Sequence, residues 1–135
     1  MSYEELINKR KIWYDNVKKI HCPCISEDII FNSKGFHHIK YDGSGRARSK
    51  KERMYRLGIL PLAIPVIKCA TKIYEYTPPE CLNKLEKSVE YWALREKVGR
   101  QNTTITVILR RIGSGNIAFH SIMKKNDKKQ KNHQK

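Results

Sequence analysis

An α+β fold, with N-terminal helices packed on a four-stranded antiparallel meander, is what this chain predicts, and three observations predict it. Apolar residues recur at helical spacing in the N-terminal half, behind recognisable caps. From about residue 72 the pattern changes to β-branched and aromatic segments. Thr103 to Lys125 then reads as one β-hairpin, turned by Gly113, Ser114 and Gly115. No segment repeats.

The elements follow in order. Ser2 and Glu5 form a capping-box pattern, and Tyr3, Leu6, Trp13, Val17 and Ile20 continue on one side, predicting a helix from about 3 to 19. Its other face carries Lys9, Arg10, Lys11, Lys18 and Lys19, which reads as a solvated face. After the turn at Cys22-Pro23-Cys24, residues 28–31 are a short extended run. Asn32 and Ser33 cap a brief helix through Lys40, with Phe36 and Ile39 facing the core. A glycine loop from Asp42 leads into Arg46, Arg48, Lys50 and Lys51, without the spacing of a nucleotide-binding loop. Ser49 and Glu52 cap the next helix, which Gly58 is expected to end. The apolar run 59–70, with Pro61 suited to a first turn, is read as a core helix beneath the sheet. Residues 72–77 are a strand closed by Pro78 and Pro79, 80–88 a polar connection, and 89–98 a long strand ended by Gly99 and Asn102. Residues 1–125 are thus one domain, with 1–27 its first helix and turn, and 126–135 a disordered basic tail.

In the hairpin, a three-residue loop sets Arg110 opposite Ala118, Ile108 opposite His120, Thr106 opposite Ile122 and Thr104 opposite Lys124. The other face pairs Leu109 with Phe119 and Ile105 with Met123. Arg110 and His120 then share a face, and Ser121 points to the opposite one.

A net charge of +15 on 135 residues indicates a polyanionic partner, with RNA or DNA the first candidate. No run approaches the roughly 18 apolar residues of a membrane span, and no signal-peptide pattern opens the chain. No membrane partner is therefore expected, and the cytoplasm is the expected compartment, reached by delivery if the protein acts in a target cell. Cys22, Cys24, Cys69 and Cys81 are too few and too irregular for a disulfide framework. Cys-Pro-Cys is also closer than usual zinc-ligand spacing, so the cysteines read as reduced thiols and no metal is assigned.

No nucleophile elbow, isolated carboxylate pair or His-Glu-x-x-His occurs. Histidines beside clustered arginine and lysine suit RNA cleavage without metal or cofactor, by attack of the 2′-hydroxyl on the adjacent phosphorus. In that scheme two histidines exchange protons with the substrate, with His37, His38 and His120 the candidates, and cations such as Arg110 and Lys124 neutralise the phosphorane. Lys40, Arg46, Arg48 and Arg56 hold flanking phosphates. The alternatives are a non-catalytic RNA- or DNA-binding module, which needs the charge alone, and a scaffold protein of a larger complex such as the ribosome.

The Gly-Phe-His-His-Ile turn at 35–39, Arg-Leu-Gly-Ile-Leu-Pro at 56–61 and the closing segment from Ile108 to Lys125 resemble a known group. With the order of helices before strands, they are similar to the phage and toxin members of the barnase/EndoU/colicin/RelE-like nuclease superfamily, over roughly residues 28–125. The resemblance implies a metal-independent ribonuclease acting on tRNA or message, and a toxin or effector of that kind would have an antitoxin or immunity protein. By position it implies a catalytic His38, with His37 as the adjacent alternative. It also implies a basic residue at Arg110 or Arg111, and the pair His120 and Ser121.

Overall fold

The computed structural model describes residues 2–80 and 88–124. The first helix, α1, spans Tyr3–Val17. Ser2 Oγ accepts from Glu5 N and Glu5 Oε1 from Ser2 N, completing the capping box. It stops short of the expected residue 19 because Lys18 takes a positive φ of 62° and swings the chain into a strand. That strand, β1 (Lys19–Cys22), turns back into β2 (Glu27–Ile30), and α2 (Ser33–Lys40) follows at once. Next come α3 (Lys50–Ile59), a single 3-10 turn (Leu60–Leu62) and α4 (Ala63–Cys69).

Two expectations here change. Helix α3 runs through Gly58 to Ile59, and the apolar run splits. Pro61 sits in the 3-10 turn, and Pro65 is the third residue of α4, where its missing N–H has no helical partner to lose.

Strands β3 (Glu75–Glu80), β4 (Val89–Val98), β5 (Thr103–Ile112) and β6 (Ile117–Lys124) complete the chain. Strand β3 begins later than expected and continues through Pro78 and Pro79. It lies at the sheet edge, where a missing N–H costs no ladder bond on the open side, and its register slips between Thr77 and Glu80. The connection expected at 80–88 lies mainly, and the tail from 126 wholly, outside the described residues.

The sheet corrects the predicted four-stranded antiparallel meander. It has six strands in the order β1-β2-β6-β5-β4-β3, and the junction of β2 with β6 is parallel, through Ile29 with Ile117 and Ile30 with Ala118. The meander is present as β3 to β6. The β1-β2 hairpin extends it at the β6 side.

The hairpin register is corrected as well. Near the turn Arg110 pairs with Ala118 and Leu109 with Phe119, as expected. Beyond it Ile108 pairs with Ser121, Val107 with Ile122, Thr106 with Met123 and Ile105 with Lys124. His120 is the extra residue of a β-bulge, so it does not face Ile108. Ser121 takes that place, on the same side of the sheet as Arg110.

One cluster of buried side chains joins these elements. Trp92, Leu94, Val98, Ile105, Val107, Leu109, Phe119 and Ile122 form its sheet side, covered by Ala63, Val66 and Ile67 of α4 and by Leu57, Phe36, Ile39 and Tyr14. Tyr14 is its aromatic hub, edge-on to Phe31 at 5.5 Å and to Phe119 at 6.1 Å, and tilted against Phe36 at 5.3 Å. No described helix is long and apolar enough to cross a membrane.

Candidate active site

Three contacts position helix α2, the last of them against β6. Asn32 Oδ1 accepts from Gly35 N at 3.3 Å and caps the helix. Tyr14 Oη donates to Asn32 O at 2.6 Å and fixes the cap from below. Gly35 then lies so close to β6 that a Cβ there would stand 2.6 Å from Phe119 O and 2.9 Å from Phe119 Cδ2. This approach beside the bulge brings His38 onto His120. Their rings stack with centroids 4.4 Å apart and planes 26° from parallel. Tyr91 on β4, paired with Arg110 in the ladder, meets His120 edge-on at 5.6 Å.

Arginines surround the pair. Asp42 Oδ1 accepts from Ser44 N, Ser44 Oγ and Arg46 N at 2.8–3.0 Å, closing the glycine loop and bringing Arg48 back over α2. Arg48 Nε donates to His38 O at 3.1 Å, and its Nη2 stands 3.5 Å from His38 Nε2. Arg56, its Nε paired with Glu52, donates from Nη1 to Ser121 Oγ at 3.0 Å and to Ile122 O at 2.9 Å. It therefore ties α3 to the bulged strand and satisfies a hydroxyl that is buried. Arg110 lines a cleft of about 390 Å³ together with Ser33, Lys34, His37, His38 and His120.

Burial and positive neighbours both disfavour charged imidazoles. His120 is lowered from 6.5 to about 4, first by burial and then by His38 and Arg110. His38 is lowered too, by burial and then by Arg48, Arg56 and Arg110, with Asp42 opposing. Near neutral pH the cleft thus offers two uncharged proton acceptors among fixed cations, an arrangement complementary to a phosphodiester.

Of the residues the sequence singled out, the structure brings together His38, His120, Arg110, Arg48, Arg56 and Ser121, with His37 on the rim. Lys40 and Arg46 lie nearby, on the last turn of α2 and on the exposed glycine loop. Arg111 does not join them. It lies on the opposite face of β5, over the Trp92 ring and paired with Glu27 and Glu90. Lys124 is drawn toward α3, its backbone N–H bonded to Tyr55 Oη and its ammonium 5.8 Å from the Tyr55 ring centre.

Sequence reasoning missed Tyr91 and Lys34. Lys34 is one turn before His38 on α2, and the Gly99–Asn102 turn alone implies the Tyr91–Arg110 pairing. Among the described residues no three His, Cys, Asp or Glu side chains gather as a metal-binding group. Cys22 is buried in the core, Cys24 is partly covered and Cys69 is exposed, while Cys81 lies outside the described residues.

No family model, curated protein or solved structure matches this chain.

Proposed function

We propose that the protein is a metal-independent endoribonuclease of the type found in the barnase/EndoU/colicin/RelE-like superfamily, with the cleft between α2 and β6 as its active site. The observation that carries this reading is the His38–His120 stack among Arg48, Arg56 and Arg110. Two imidazoles at this distance resist carrying two protons, so a bound phosphate charges one of them and leaves the other neutral. His120, held down further by any charge on His38, is the neutral partner and the base. It takes the proton of the 2′-hydroxyl as that oxygen attacks phosphorus. His38 protonates the 5′ oxygen as the phosphorus–oxygen bond to it breaks, leaving a 2′,3′-cyclic phosphate and a free 5′-hydroxyl.

Stacked ring edges can each address one of the two apical oxygens of the phosphorane. Arg110, on a rigid strand, neutralises the charge that develops on its equatorial oxygens. Arg48 and Arg56 hold His38 and the bulge in place and add to the positive field, while Lys34 and the neighbouring Lys40 and Arg46 attract flanking phosphates.

Incubating the purified protein with total tRNA in the presence of a chelator tests the reading. Fragments ending in a cyclic phosphate are expected, and His120→Ala and His38→Ala should each abolish them. Intact RNA at high protein concentration, with binding unaffected by either substitution, would leave a binding module instead. In a toxin setting, an inhibitory antitoxin or immunity protein acts by covering this cleft.

A further inference from the structure

His37 and His38 are neighbours on α2, about 100° apart around the helix, and they do different things. The His38 ring goes to His120. The His37 ring is exposed, lines the same cleft, and stacks on Tyr41 one turn later with centroids 4.5 Å apart and planes 21° from parallel. Tyr41 is steadied in turn by the Arg53 guanidinium, 5.6 Å from its ring centre, and Arg53 Nη1 donates to Tyr3 Oη at 3.2 Å. A flat ring backed by a second ring and a cation, open beside the cleft, is the surface on which a nucleobase stacks.

We propose that the His37–Tyr41 stack is a nucleobase platform next to the scissile phosphate, which makes the preferred substrate single-stranded or looped RNA. This rests on the ribonuclease reading for the identity of the ligand, and it adds the class of RNA. A base seated on His37 must leave its own helical stack. Unpaired nucleotides do so readily, whereas a duplex has to be opened first. The 390 Å³ cleft leaves room for about one nucleotide beside the two catalytic rings, so its base reaches the rim where His37 lies.

The test uses a 2′-O-methyl oligonucleotide, which lacks the internal nucleophile, carrying a single 2-aminopurine whose fluorescence falls on stacking. Wild-type protein is expected to quench the probe and to bind the single strand at least tenfold more tightly than the matched duplex. His37→Ala should remove the quenching and weaken binding roughly tenfold, the range of one base–aromatic stack. His37→Phe should retain both.

Unchanged quenching and affinity in His37→Ala would overturn the platform and leave the ribonuclease untouched. Loss in His37→Phe equal to that in His37→Ala would also overturn it, by showing that the ring nitrogens matter and not its face. Quenching by a wild-type protein that cuts no natural RNA would keep the platform and remove the nuclease.

Discussion

The two histidines of the cleft differ from free histidine in a way that can be measured directly. With His120 lowered to about 4, its imidazole resonances should titrate near that pH in an NMR series, and those of His38 below 6.5. Arg110 acts on both rings and Arg48 on His38 alone. Arg110→Gln should therefore raise both titrations, and Arg48→Gln only that of His38. Movement of neither ring in Arg110→Gln would place the arginine away from the pair. The sign for stability follows from proton uptake. Between about 4 and 6.5 the unfolded chain binds more protons at position 120 than the folded one, so stability falls as the pH drops through that window and levels off below it. Thermal midpoints followed from pH 7 to pH 4 should show this loss, and His120→Gln should flatten it. If the protein cleaves RNA as proposed, with His120 as the neutral base and His38 as the charged acid, kcat/KM should peak between the same limits. A maximum at alkaline pH would reverse or remove those roles.

At the scale of elements, the site depends on how α2 and α3 meet one edge of the sheet. Beyond Ala118 strand β6 no longer pairs with β2, and the bulge at His120 and the Arg56 contacts occupy that stretch. Arg56→Ala should cost about 2 kcal/mol in chemical denaturation, because it strips partners from a buried hydroxyl and a carbonyl at once. Ser121→Ala should cost about 1 kcal/mol or less, since Arg56 keeps Ile122 O. Gly35→Ala drives a methyl group into Phe119 and Tyr14 and should cost about 2–3 kcal/mol. Because it pushes α2 off β6, the proposed cleavage should fall further than stability alone explains, and full activity in a folded Gly35→Ala protein would refute that coupling. Much at this scale was legible in sequence. Ser2 with Glu5, Asn32, and Ser49 with Glu52 mark three helix starts, and the aliphatic runs mark β4 and β5 to the residue. The bulge was not legible, because Ile117, Phe119 and Met123 also fit strict alternation. The buried apolar residues of β6 are Ile117, Phe119 and Ile122, and a step of three in a strand of period two requires one extra residue between Phe119 and Ile122. Strict alternation sends Ser121 to the face opposite Arg110, and the bulge returns it to the same one. The β1-β2 hairpin gave little signal, because Lys19-Ile20-His21-Cys22 holds no apolar run and its parallel neighbour β6 is fixed by two residue pairs.

For the whole molecule, the net charge of +15 was legible at once, but its distribution was not. Composition cannot separate cations that face a substrate from those neutralised elsewhere, and the fold separates them. Arg111 is held by Glu27 and Glu90 on the core side of the sheet, and Lys11 is paired with Asp15 on α1. Lys34 and Arg110 line the cleft, whereas Lys68 is exposed on α4 and is not among the residues that line it. Local and diffuse electrostatics therefore predict different salt dependences for binding a non-cleavable single-stranded RNA. If the phosphates run through the cleft, Lys34→Gln removes one counterion-releasing contact and lowers the slope of log K against log salt by about 0.7. Arg110→Gln should do the same, and Lys68→Gln should leave the slope unchanged while removing the same charge from the total. Equal effects at positions 34 and 68 would mean that RNA is held by the net charge of the molecule and not by this cleft, and would count against the assignment of the His38–His120 pair as its catalytic centre.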